Sequence, residues 1–460
     1  MIKSVLIFLA LILAAKAATP QQWKSRIIYQ LLTDRFSRGN GDNSGCADLG
    51  NYCGGTFKGI TQNLDYIQNM GFDAIWISPV PVNYQGAYHG YAAIDLYGVN
   101  PHFGTEQDLQ DLVNACHSRG MYVMLDVVAN HVGPVSPDFS VINPFNKSEY
   151  YHPYCQINNW NDQHEVEWCW LGTLPDLSQE NQYVRSTLKS WINWIVNKYG
   201  FDGLRVDTAV EVPKDFWYEF QASAGVYAVG EAFNGDINYV SGYQGPLDAV
   251  LNYPLYFLLR NIFAYGGDMY QARDFMNSMK AFKDQTILGN FLDNHDNPRF
   301  LYQNGNINRF KNALAWSVVT LGIPIVYYGD EQGFNGGYDP NDREILWPYL
   351  KNTNSDMYQF VTKIVKYRKQ MQLWNYPWVE RYADHNFYCF SMGNAVMAFT
   401  NTDNTIQRSV TYNPYKEGDV ICNIFWSGDC VTITNGALNV VLLNGEVKLY
   451  MPKSMMMEEK

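Results

Sequence analysis

Positive charge is scarce in this sequence. Lysine and arginine total 33 against 45 aspartates and glutamates, a formal net charge of −12. That balance argues against nucleic acid and against an anionic membrane as partners. Charged residues of all kinds reach only 17%, but hydrophobic residues reach 47%, which excludes a disordered chain. Beyond the N-terminus no hydrophobic run is long enough to cross a bilayer, so no membrane span is expected. No internal repeat is present, so no repeat architecture is expected.

The N-terminal apolar run, Val5 to Ala15, is too short to span a membrane comfortably. Lys3 precedes it and Ala15-Lys16-Ala17 follows, the charge and small-residue pattern of a secretory leader over residues 1–18. The expected location is outside the cell, or the lumen of a secretory compartment. Such a compartment is oxidising, so the eight cysteines are candidates for pairing. Local spacing favours Cys46 with Cys53, Cys155 with Cys169, and Cys422 with Cys430. Cys116 and Cys389 are read as free, buried thiols. Asn146-Lys147-Ser148 is an N-glycosylation sequon. Aromatics make up 15% of the chain, and ring faces suit sugar stacking, although most aromatics in any protein are core.

At 460 residues the chain is too long for one ordinary core and suits a barrel with an accessory domain. Short apolar runs alternate with amphipathic ones from about residue 26 to about residue 372. Ile27–Leu32, Ala74–Ser78, Tyr122–Val128, Gly203–Val206, Tyr227–Gly230, Ala249–Asn252, Ile287–Leu292 and Ile323–Tyr328 read as buried strands. Between them Gln107–Arg119, Val184–Tyr199 and Ala313–Leu321 read as helices. This is the count of a closed α/β barrel, the (β/α)8 or TIM architecture. The stretch 131–177 breaks the rhythm with prolines and no clear period, and reads as an inserted, loop-rich subdomain. After residue 377 short strands separated by Asn, Gly and Asp predict an antiparallel β-sandwich. The expected organisation is a barrel over 19–130 and 178–377, the insert over 131–177, and a β-domain over 378–460.

Three of the predicted strands end in an acid. Gly203-Leu204-Arg205-Val206 runs into Asp207, Val229-Gly230 into Glu231, and Phe291-Leu292-Asp293-Asn294-His295 into Asp296. Acids at strand ends stand where a parallel barrel presents its catalytic face. Paired carboxyl groups are the machinery of glycoside hydrolysis. Arg205, two residues before Asp207, falls on the same side of a strand of period two.

Taken in order, these segments resemble the α-amylase family of glycoside hydrolases, and within it the secreted fungal-type enzymes. The resemblance rests on Ala87-Tyr88-His89-Gly90-Tyr91, Asp126-Val127-Val128-Ala129-Asn130-His131, Gly203 to Asp207, Gly230-Glu231, Asn294-His295-Asp296 and Asp339-Pro340-Asn341-Asp342-Arg343. It implies Asp207 as nucleophile, Glu231 as general acid and base, and Asp296 as the acid that grips a distorted sugar ring. It implies His89, His131 and His295 as binders of sugar hydroxyls, and Tyr91 as a stacking platform. Arg205 would keep Asp207 ionised, and Asp339 with Arg343 would hold the next sugar on the non-reducing side. It further implies a Ca2+ ion held by the side chains of Asn130, Glu167 and Asp176, with a backbone carbonyl from Glu211. The implied substrate is an α-1,4-glucan cut internally with retention by a monomer, with the carboxyl carbons of Asp207 and Glu231 about 5–5.5 Å apart. A transglycosylase, or an α-glucosidase trimming oligosaccharides, would share this active site. A non-catalytic carbohydrate-binding protein would have lost the acids.

The chain departs from the family pattern in one neighbourhood. Fungal members usually carry a Lys-His pair three and four residues after the nucleophile, where this sequence has Val210 and Glu211. A Trp common after His-Gly-Tyr is here Ala92. These changes predict altered binding on the leaving-group side.

Overall fold

The computed structural model describes residues 18–426 and 428–456. All of the expected leader except Ala18 lies outside the described residues. Eight short strands form one parallel sheet: β1 (Ile28–Leu31), β2 (Ala74–Ile77), β3 (Tyr122–Val127), β4 (Gly203–Val206), β5 (Tyr227–Gly230), β6 (Ala249–Val250), β7 (Gly289–Asn290) and β8 (Ile323–Tyr327). The order is β6-β5-β4-β3-β2-β1-β8-β7. A parallel bridge from Leu251 to Gly289 joins the two outer strands and closes the barrel. β6 and β7 are shorter than their apolar runs. Ile287, for instance, belongs to a 3-10 turn over Gln285–Ile287.

Alternation along the strands sorts the side chains. Leu204, Val206, Ile75, Ile77, Val123 and Leu125 face the surrounding helices and join the main core. Ile28, Ala74, Trp76, Met124, Tyr227, Val229 and Ile325 fill the barrel with a separate apolar cluster. The inward series then turns polar toward the strands' C-terminal ends: Met124 gives way to Asp126, Gly203 to Arg205 and Asp207, Val229 to Glu231. Register lines them up, with Asp126 opposite Arg205 and Arg205 opposite Val229. The opposite end is plugged by Trp23, which is fully buried and stacks on Tyr227. Glycine is required at 203, because a Cβ there would lie 2.7 Å from the Trp23 ring.

The helices are terminated by local chemistry. Glu106–Ser118 starts at Thr105, which exchanges capping bonds with Asp108. Gln182–Tyr199 starts at the Asn181 side chain and ends on Gly200, whose φ of 79° suits glycine. Ile307–Val319 starts earlier than the apolar pattern, at an Asn306 cap.

The stretch 131–177 holds short 3-10 turns, isolated bridges and one helix, Gln163–Trp168, that its sequence did not announce. A further element absent from the sequence reading is the hairpin Pro81–Asn83 with Ala93–Val99, whose loop carries His89 and Tyr91. The C-terminal region pairs a six-stranded antiparallel sheet with a two-stranded one, Ile406–Val410 with Leu438–Leu442. Phe387, Val396, Val410, Ile421, Leu438 and Tyr450 pack between them as a sandwich core. Trp378–Ala383, Val420–Asn423 and Leu438–Leu442 are strands not foreseen from the sequence. The cysteines pair as spacing suggests, 46–53, 155–169 and 422–430, with Cys116 and Cys389 free and buried.

Candidate active site

A cavity of about 670 Å³ opens at the C-terminal ends of the barrel strands, and Asp207, Glu231 and Asp296 all line it. Arg205, fully buried below, ties the carboxyl groups together. Its Nη1 donates to Asp207 Oδ1 at 2.6 Å and to Asp126 at 3.0 and 3.2 Å, and its Nη2 pairs with Glu231 Oε2 at 2.9 Å. One planar fork therefore sets the spacing of three acids, which a flexible ammonium would not do.

The charge balance of this cluster matters. Burial raises the Asp207 pKa well above the ordinary carboxylate range; Arg205 pulls it down, and Glu231, Asp126 and Asp296 push it back up. Burial likewise pushes Asp126 up to about 6 against the pull of Arg205. One guanidinium faces three carboxyl groups here, so the acids raise one another's pKa as Arg205 opposes the rise.

Backbone and aromatic groups hold the acids from the side. Thr208, directly after Asp207, has φ 47°, an uncommon conformation for a β-branched residue. The turn aims its backbone N–H at Glu231 Oε2, 3.2 Å away. Tyr253 donates its hydroxyl to Glu231 Oε1 at 3.1 Å. Asp126 accepts from Trp76 Nε1 and from the Tyr91 hydroxyl at 2.6 Å. Tyr91 is thereby fixed with its ring parallel to His295, at 5.1 Å between centroids.

Three histidines of the site are pushed toward their neutral form. Burial, with Arg343 behind it, pushes His89 down to about 3, and burial pushes His131 down to about 4 and His295 well below its ordinary value. Neutral imidazoles donate from one nitrogen and accept at the other, as sugar hydroxyls require. His295 Nδ1 accepts from Gln30 Nε2 at 2.9 Å, which leaves the Nε2 proton facing Asp296 Oδ2 at 3.3 Å. Arg343 links the remaining acids, pairing with Asp339 at 3.0 Å and Asp296 at 3.4 Å.

At the junction of barrel and insert, oxygens converge. The Asn130 side-chain oxygen faces two acceptors, Asp176 Oδ1 at 2.8 Å and the Glu211 carbonyl at 3.1 Å. With the amide turned over, its NH2 donates to both. The Glu167 carboxylate accepts instead from Gln163 Nε2 at 2.7 Å. No group of three His, Cys, Asp or Glu side chains stands at metal-binding spacing among the described residues.

The structure thus brings Tyr91, His89, His131, His295, Asp339 and Arg343 to the rim of the same cavity as the three acids. Asp126, Tyr253 and the Thr208 N–H belong to the site but were not singled out from sequence. Asp126 ends an inward-facing series as Asp207 does, and that periodicity is the signal that could have found it. Tyr253 follows no strand-end acid and gave none.

A closed parallel barrel with buried carboxyl groups at its C-terminal mouth defines an enzyme whose chemistry rests on acids. The family described as "Alpha amylase, catalytic domain" matches residues 30–375. "Alpha-amylase 2" of Schwanniomyces occidentalis is 38% identical, covering 96% of this chain and 92% of its own length. "Alpha-amylase" of Saccharomycopsis fibuligera is 37% identical over 94% of this chain and 92% of its own. A solved alpha-amylase structure from Malbranchea cinnamomea aligns with a TM-score of 0.92 at 39% identity, covering 96% of this chain and 99% of that one. The chain belongs to the alpha-amylase family.

Proposed function

We propose that the protein is a secreted, endo-acting α-amylase that hydrolyses α-1,4-glucosidic bonds of starch- or glycogen-type glucans with retention. The observation that carries this reading is the shared fork of Arg205, which holds Asp207 and Glu231 side by side. A retaining site needs its two carboxyls about 5–5.5 Å apart, so that one attacks as the other protonates. Asp207, held to Arg205, attacks the anomeric carbon. Glu231 gives its proton to the leaving oxygen, and the glycosyl group becomes an ester of Asp207. Glu231, now a carboxylate, takes a proton from water as that water displaces Asp207. Asp296, restrained by Arg343, accepts hydrogen bonds from hydroxyls of the distorted ring, which Tyr91 supports by stacking. His89, His131 and His295 meet further hydroxyls.

The oxygens at the insert junction suit Ca2+. Hard cations take side-chain and carbonyl oxygens, and neighbouring ligands of one ion lie at about the spacing found between Asn130, Asp176 and Glu211. Glu167 would contribute its carboxylate from the helix Gln163–Trp168, where it now accepts from Gln163 Nε2. Bound there, the ion would pin the insert to the barrel beside the cleft.

Release of reducing ends from soluble starch, with the anomeric form followed by NMR, tests the reading. The α-anomer should appear first, and Glu231→Gln should lower the rate about 10²–10⁴-fold. Initial release of the β-anomer would refute retention.

A further inference from the structure

A second hollow lies on the molecule and shares no lining residue with the active-site cavity. It forms where two outer helices of the barrel, Ile307–Val319 and Asp356–Gln370, meet the C-terminal domain. Phe360 comes from the second helix. Phe425 and Trp426 come from the turn between strands Val420–Asn423 and Cys430–Thr432. The Phe360 and Phe425 rings stack at 4.9 Å with 15° between their planes. Beside them Trp426 is 65% exposed, a large apolar face given to solvent.

The turn that carries Trp426 is braced. Cys422 and Cys430 face each other across the two strands and are joined as a disulfide. Asn423 and Asp429 bond through their backbones at 2.8 Å and their side chains at 3.0 Å, and Asp429 pairs with Lys448 at 2.7 Å. The Trp426 carbonyl accepts from the Asp429 N–H at 3.2 Å. Lys363 donates to the Phe425 carbonyl at 2.9 Å, which ties the turn to the barrel helix. A ring held by a fixed turn has less freedom to lose on binding.

The rest of the lining is Val447, the amides of Asn308 and Gln359, and the charged Lys311, Lys363, Asp356 and Glu446. Two cations stand against two anions, so the hollow has no net charge with which to draw an ion. Lys311 pairs with Asp356 at 2.5 Å, and Glu446 with Lys448 at 3.3 Å. Ring faces bordered by neutral amides and balanced charges match a pyranose, whose C–H face stacks and whose hydroxyls both donate and accept. At about 230 Å³ the hollow is smaller than the roughly 300–1,000 Å³ of a pocket that encloses its ligand. It therefore takes one side of a ligand that continues beyond it, as a polymer does.

We propose that this hollow is a second, non-catalytic binding site for α-glucan chains, with Trp426 as its stacking platform. The proposal rests on the reading of the chain as an enzyme of α-1,4-glucans. A polymer held there raises the local concentration of its other segments at the active-site cavity. A short oligosaccharide gains nothing from it.

The test uses the full chain and the variants Trp426→Ala and Trp426→Phe, each checked by a thermal melt. Pelleting with granular starch on ice measures binding, and kcat/KM on maltoheptaose measures the catalytic centre. Trp426→Ala should weaken pelleting roughly two- to tenfold, about the worth of one stacked aromatic face. Trp426→Phe, which keeps a ring, should retain most of the binding. Both variants should hydrolyse maltoheptaose as the unmodified chain does. Unchanged starch pelleting by Trp426→Ala would overturn the proposal and leave the hydrolytic reading standing. So would equal, Trp426-dependent pelleting with cellulose, or a change of oligomeric state in Trp426→Ala with starch binding intact. Failure of the unmodified chain to cut maltoheptaose would overturn the hydrolytic reading, and a Trp426-dependent pelleting would still support the glucan site.

Discussion

Replacing Arg205 by lysine isolates what the guanidinium fork does. Arg205 donates to Asp207 at 2.6 Å, to Asp126 at 3.0 and 3.2 Å, and faces Glu231 at 2.9 Å. An ammonium keeps the charge but is a point donor and cannot hold three carboxyl groups in one plane. At least one of these bonds is lost, and a hydrogen bond to a charged group is worth about 1.5–3 kcal/mol. If the loss falls on Asp207 or Glu231, kcat/KM drops roughly ten- to 150-fold. The pH profile should move as well. Arg205 is the group that opposes the rise of the Asp207 pKa caused by burial. With a weaker partner that pKa climbs further, less Asp207 is ionised at a given pH, and the acidic limb of kcat/KM shifts to higher pH. Arg205→Met removes the charge altogether and strands the acids, costing about 3–5 kcal/mol of stability. Steady-state kinetics on a maltooligosaccharide from pH 4 to 9, with thermal melts alongside, measure all three quantities. A lysine variant with unchanged kcat/KM and an unmoved acidic limb would refute the electrostatic role of the fork.

Acid should destabilise the fold through His89. Its folded pKa is pushed down to about 3, so between its ordinary value and pH 3 the unfolded chain binds more protons than the folded one, and stability falls as pH falls. His89→Gln should flatten the melting-temperature profile over that window; an identical slope would refute it. Chelation with EDTA should lower the melting temperature, calcium should restore it, and Asp176→Asn should weaken the response. A calcium-independent melt would remove the ion from the account. Cutting the link between Cys155 and Cys169 by double serine substitution opens a loop of 14 residues, and should cost about 3 kcal/mol in denaturant unfolding.

The barrel was legible because its strands are buried on both faces. Runs such as Tyr122–Val128 have little polar alternation to blur them, and several of them end where an inward position turns acidic. The hairpin Pro81–Asn83 with Ala93–Val99 was not legible, since its half-buried positions and register shifts leave no clean period. The helix Gln163–Trp168 hides for a related reason, because only Val166 among its residues is buried. In the β-sandwich, Trp378–Ala383 carries Glu380 and Arg381 and is half-buried throughout. The acids at strand ends could be named one by one, but their mutual arrangement could not. That Arg205 binds Asp126 and Glu231 as well as Asp207 depends on register across three strands, which no local pattern encodes.

The indole lodged under Gly203 closes the floor of the cylinder. A glucan cannot be threaded through this molecule; it can only be laid across its open rim. The packing of one tryptophan against one glycine thus confines the traffic of substrate and product to the mouth where the acids stand.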